Sequence, residues 1–119
     1  MFRRAVDLAE RTLGPDHPDT AGSLNNLAGL LEAKGDYYGA EPLYRRALAI
    51  AERTLGPNDA RTAMALENLA ELLAAKGEVA AAEPLLARAF AIADKTLGPQ
   101  HETTQEIRES LRALCKHAK

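Results

Sequence analysis

The segment Thr-Leu-Gly-Pro stands at Thr12 to Pro15, again at Thr54 to Pro57 and again at Thr96 to Pro99, 42 residues apart both times. A chain that repeats at this period is built from supersecondary units, each of which leaves an apolar face to be covered by its neighbour. The repeat runs well beyond the four-residue marker. Residues 12–53 and 54–95 agree at 24 of 42 positions, and Arg3 to Pro15 agrees with Arg45 to Pro57 at 10 of 13. On this register the chain opens in the second half of a unit.

Within one period, Leu24, Leu27, Ala28, Leu30 and Leu31 follow helical spacing, and Gly35 is placed to stop that helix in a left-handed conformation. A second apolar set, Ala40, Leu43, Tyr44, Ala47, Leu48, Ile50 and Ala51, leads to Leu55, where Gly56 and Pro57 end it. Pro42 lies in the early turns of this second helix; it removes one backbone hydrogen bond and bends the helix without ending it. The prolines of the linker place Pro18 at a first helical position, and His17, Asp59 and His101 align as N-caps, Asp59 being the strongest by residue type. The expectation is an all-α, right-handed superhelical stack of antiparallel helix hairpins with about six helices in one domain spanning 1–119. It comprises a half repeat over 2–14, whole repeats over 18–55 and 60–97, and a terminal helix over 102–117.

The order Leu24, Leu27, Ala28, Leu31, Gly35, Tyr37, Ala40, Tyr44, Ala47, repeated as Leu66, Leu69, Ala70, Leu73, Gly77, Ala82, Leu86, Ala89, resembles the tetratricopeptide repeat signature. The 42-residue period, the Leu-Gly-Pro-Asp-His-Pro-Asp linker and the Ala-Glu-Pro-Leu-Tyr-Arg-Arg-Ala-Leu run are similar to the longer repeat of kinesin light chains and of many bacterial proteins. In physical terms Ala28, Ala40 and Ala47, with Ala70, Ala82 and Ala89, let helix backbones approach closely while leucines fill the gaps. The resemblance implies a superhelix whose concave face is lined by the first helix of each unit and binds a peptide or protein segment.

Carried onto this sequence, the family's groove positions are Gly22, Asn25, Asn26, Gly29 and Glu32, then Met64, Glu67, Asn68, Glu71 and Ala74, then Glu106, Glu109, Ser110, Ala113 and Lys116. Asn26 and Asn68 each carry a donor and an acceptor, which suits either a ligand's peptide backbone or a tie between neighbouring helices. Glu32, Glu67, Glu71, Glu106 and Glu109 against Lys116 favour a basic or mixed basic and apolar partner, the alternative being a solvated helix face. The lysines and arginines that would grip a free C-terminal carboxylate are missing from these positions, and the acidic, tryptophan-containing cargo motifs of kinesin light chains fit them poorly.

Composition narrows the remaining classes. Hydrophobic residues make up 46% of the 119 but aromatics only 4%, without tryptophan, so the core rests on Leu, Ala, Ile and Val. A net charge of −2 with mixed signs gives no field for nucleic acid, and no apolar run reaches the roughly 20 residues of a membrane span. The lone Cys115, in the stripe Ile107, Leu111, Leu114, Cys115, reads as a small core residue. With no signal-peptide pattern at Met1-Phe2-Arg3-Arg4, the expectation is a cytoplasmic setting. The three histidines, His17, His101 and His117, are too dispersed to share a metal, and the Leu-Gly-Pro linkers lack the glycines and lysine of a phosphate loop. Neither a catalytic constellation nor a cofactor is expected.

Both ends of the array carry expectations of their own. Arg108 and Arg112 replace Leu24 and Ala28, and Leu66 and Ala70, so the last helix is expected to be a solvated cap. Phe2, Ala5 and Val6 begin a helix without its hairpin partner. That face would be covered by more of a longer array or by another molecule, and a homodimer through the N-terminal helix, acting as a structural scaffold, is the alternative to peptide binding.

Overall fold

The computed structural model describes residues 18–117, and the side chains of residues 19–114. The half hairpin expected over 2–14, with Phe2, Ala5 and Val6, and the cap at His17 lie outside these residues, as do the side chains of Cys115, Lys116 and His117. The described residues form five α-helices: α1 Pro18–Ala33, α2 Tyr37–Thr54, α3 Ala60–Ala75, α4 Val79–Thr96 and α5 Glu102–His117. They fall into two compact units, Met1–Pro57 and Asn58–Lys119.

In both units the tight helix reversal has the same cause. At the end of α1, Gly35 takes φ +84°. Its N–H donates to the Glu32 carbonyl at 2.9 Å and that of Asp36 to the Leu31 carbonyl at 2.8 Å. Gly77 takes φ +89° at the end of α3, with Gly77 donating to Ala74 at 3.0 Å and Glu78 to Leu73 at 2.8 Å. This paired arrangement satisfies the last carbonyls of a helix, and it needs a residue that tolerates positive φ at no steric cost.

Asp36 then serves the next helix at once. Its side chain accepts from the Gly39 N–H at 3.0 Å and caps α2. The second copy has Glu78, which makes no such cap and pairs instead with Lys76 at 3.1 Å. Gly39 and its counterpart Ala81 follow suit, because a Cβ at Gly39 would collide with the Asp36 carboxylate. The residue at the third helical position therefore changes together with the cap.

The far ends of the hairpins explain the recurring linker. Thr54 Oγ1 donates to the Ile50 carbonyl at 2.7 Å, and Thr96 Oγ1 to that of Ile92 at 2.8 Å. Asp59 caps α3 by accepting from the Arg61 N–H at 2.8 Å, and His101 Nδ1 caps α5 by accepting from the Thr103 N–H at 3.1 Å. Helices α2 and α4 run unbroken through Pro42 and Pro84.

Ala28, Ala40 and Ala47, and Ala70, Ala82 and Ala89, are all 0% exposed, as close backbone approach requires. Unit one packs Ala21, Leu24 and Leu27 of α1 against Ala47 and Ile50 of α2, with Leu31 and Leu43 at the margin. In unit two Leu66, Leu69, Leu73, Leu86, Ile92 and Ile107 are buried. Thr20, Thr62 and Thr104, one per copy and 42 residues apart, are fully buried too. Thr104 Oγ1 donates to the Ala93 carbonyl at 3.2 Å, which fastens α5 to the last turn of α4. Arg108 is partly buried and Arg112 exposed on α5.

Candidate functional site

The first helix of each hairpin buries one face and presents the other. On α1 the presented positions run through Gly22, Asn25, Asn26, Gly29 and Glu32; Gly22 and Asn26 are exposed and the other three partly buried. Neither Asn26 nor Asn68 makes a side-chain hydrogen bond among the described residues, whereas Asn25 buries its Oδ1 without a partner. Glu32 is engaged inside its own hairpin: the Tyr44 hydroxyl donates to its Oε1 at 2.9 Å. Gly29 lies beneath that bond, where an added Cβ would stand 3.6 Å from the Tyr44 hydroxyl. The aromatic ring and its carboxylate partner thus occupy this end of the unit-one hairpin.

Unit two differs at the same positions. Leu86 replaces Tyr44 and Ala74 replaces Glu32, so the hydroxyl and the carboxylate are lost together. An open recess of about 220 Å³ lies there, lined by Glu71 and Ala74 of α3, Leu86 of α4, and Ser110, Ala113 and Leu114 of α5. Its walls are apolar except for Glu71 and Ser110. The volume falls below the roughly 300–1,000 Å³ of ordinary small-molecule sites, while an apolar cavity of about 150 Å³ holds a benzene-sized group. The recess is of a size to take one side chain.

Beside the recess the charges accumulate. Burial pushes the Glu67 carboxyl up to about 7 from its usual 4.5, and the negative charges of Glu71, one turn along α3, and Glu106 on α5 add to the effect. Glu67 and Asn68 are partly buried; Glu71, Glu106 and Glu109 are exposed, and Met64 keeps 50% of its surface in water. The structure therefore groups Glu67, Glu71 and Glu106, while Glu109 neither lines the recess nor acts on Glu67. Among the described residues no group of three or more His, Cys, Asp or Glu side chains is placed to hold a metal ion. Nor, among them, is any helix long and apolar enough to cross a membrane.

Leu86 and Leu114, which complete the recess, were not among the expected groove residues. The signal for Leu86 lies in the alignment of the two copies, where the exchanges Tyr44 to Leu86 and Glu32 to Ala74 occur in one pair of contacting residues.

The tetratricopeptide repeat family pattern matches residues 1–52 and, overlapping them, 19–95. The chain belongs to the tetratricopeptide repeat family. No curated protein matches it by sequence. Among solved structures, BtubC (BKLC) from P. vanneervenii is similar at 25% identity and a TM-score of 0.89, over 98% of this chain and 47% of that one. A Podosopora anserina protein described as a kinesin light chain with nearly identical TPR-like repeats is similar at 27% identity and a TM-score of 0.87, over 95% of this chain and 54% of that one. A point variant of that protein gives the same identity and score. The chain thus spans about half the length of these relatives. Its tetratricopeptide repeats are of the kinesin light chain type, a class of fold that mediates protein–protein interaction.

Proposed function

We propose that the chain is a non-catalytic binding module that holds a segment of another protein on the face presented by the first helices of its repeats. The observation that carries this reading is the open recess between α3, α4 and α5 with an acidic group at its side. The residues assigned to the contact are Asn25, Asn26, Gly29 and Glu32 on α1, Met64, Glu67, Asn68 and Glu71 on α3, and Glu109 on α5. Exposed Met64 adds an adaptable apolar contact. The acidic balance of this face suits a partner that is basic, or basic and apolar together.

Asn26 and Asn68 are assigned to the partner's backbone, since their amides have no other bond among the described residues and each offers both a donor and an acceptor. The test is selection of a random-peptide display library against the immobilised chain, followed by affinity measurements on the enriched peptides. Enrichment of peptides combining Lys or Arg with aliphatic residues is the expected outcome. Replacing both asparagines (N26A with N68A) is expected to weaken binding by about fivefold for each backbone bond lost. No enrichment, or equal affinity for both forms, would sink the reading.

A further inference from the structure

The recess in unit two lies where the two copies differ at a contacting pair. Where Tyr44 and Glu32 close the unit-one hairpin with a hydrogen bond, Leu86 and Ala74 leave an apolar hollow floored by Leu86 and walled by Ala74, Ala113 and Leu114. Glu71 belongs to the wall of this hollow and also acts on Glu67, so the hollow and the acidic group are contiguous. We propose, building on the binding function above, that unit two docks a partner segment by two adjacent anchors: one aliphatic side chain of Leu, Ile or Met size in the recess, and one Lys or Arg beside it against Glu67 and Glu106.

Size and charge each restrict the occupant. A cavity of about 220 Å³ takes a single side chain, and its apolar walls favour one without polar atoms. The carboxylates at the margin repel an acidic neighbour and attract a basic one. Glu67 feels the charges of Glu71 on its own helix and of Glu106 on α5, while α4 lines the adjoining recess with the uncharged Leu86. A guanidinium or ammonium set among them would favour the ionised form of Glu67, so docking releases a proton near neutral pH. If docking required Glu67 ionised, affinity would rise with the ionised fraction, by at most about tenfold between pH 6 and pH 8.

The experiment is an amide NMR titration of the full chain with capped Gly-Ser peptides carrying one Leu and one Arg at varied spacing, and with the same peptides bearing Ser for Leu or Gln for Arg. The Leu and Arg peptide of best spacing should shift the amides of Glu71, Ala74, Ser110 and Ala113. Either replacement should weaken it at least about threefold, in line with an exposed ion pair or a partly buried apolar group. Its affinity should tighten from pH 6 to pH 8, and that of the Gln peptide should not. The variant A74E with L86Y refills the recess with the pair that unit one already accommodates, and should abolish the shifts while its helical circular dichroism stays native.

Undiminished binding by the refilled, folded variant would overturn the proposal, as would equal binding of the Gln peptide at pH 8. Shifts confined to α1 would overturn it too while leaving the broader binding reading intact. That reading fails separately, when no displayed peptide is enriched.

Discussion

Glu67 is held in a place that disfavours its charge, and the consequence for stability has a definite sign. With its carboxyl pushed up to about 7 in the fold and near 4.5 when unfolded, the folded state binds the extra proton between these values. The contribution of Glu67 to stability is therefore fully present below the unfolded value and is lost as pH rises through about 7. An interval of about 2.5 pH units corresponds to about 3.4 kcal/mol, which solvent screening at a half-buried site cuts to about 1–2 kcal/mol. Most of that cost develops between pH 5 and pH 8. The variant Glu67→Gln keeps the shape and the polar end of the side chain but cannot ionise. Urea denaturation of both proteins at pH 5, 6, 7 and 8 should find the glutamine variant gaining about 1 kcal/mol on the parent across this range, the comparison cancelling the titration of every other carboxylate. A difference that stays constant with pH, or a glutamine variant that loses ground at pH 8, would refute the burial of Glu67 beside Glu71 and Glu106.

Three further outcomes follow from the packing. Asp36→Ala should cost about 1 kcal/mol through the lost cap. Gly39→Ala should be stabilising only in that background, so a four-protein denaturation cycle should return a coupling of about 1 kcal/mol, and additivity would show that the Asp36 carboxylate does not crowd residue 39. Tyr44→Phe should cost about 1 kcal/mol by removing the donor to Glu32; an unchanged melting temperature would mean that this bond contributes nothing. Thr104→Val should cost about 0.5–1 kcal/mol, at the low end because the Ala93 carbonyl still accepts from Leu97 and Gly98. Hydrogen exchange should register this loss first at the start of α5, and protection unchanged there would refute the fastening role.

Much of the fold was legible because its stop signals are local. Gly35 and Gly77 end helices by backbone conformation, and Asp59 and His101 cap by side-chain chemistry, so each acts within a few residues of its own position. Asp36 was harder to read, since one residue completes the end of α1 and caps α2 with no linker between them. The recurrence of Thr20, Thr62 and Thr104 was visible, but threonine is mostly an exposed residue, and nothing local marks these three as buried; the reach of Thr104 to a carbonyl eleven residues back gives it a role. The site lay further still from local rules. Glu67 and Glu106 are 39 residues apart on different helices, and helical periodicity gives each a face without giving their mutual offset.

The two copies differ where their hairpins do different things. Positions identical in both, such as the glycine stops and the close-packing alanines, satisfy demands that every hairpin shares, and so they say nothing about what one hairpin does that another does not. Positions that change singly are free to drift. Positions that change as a contacting pair are different, because the first exchange removes the reason for the second residue: without the Tyr44 hydroxyl, a carboxylate at the place of Glu32 has no donor to hold it. Leu86 and Ala74 satisfy the fold as simply as the pair they replace, and in unit two they line the recess beside the acidic group.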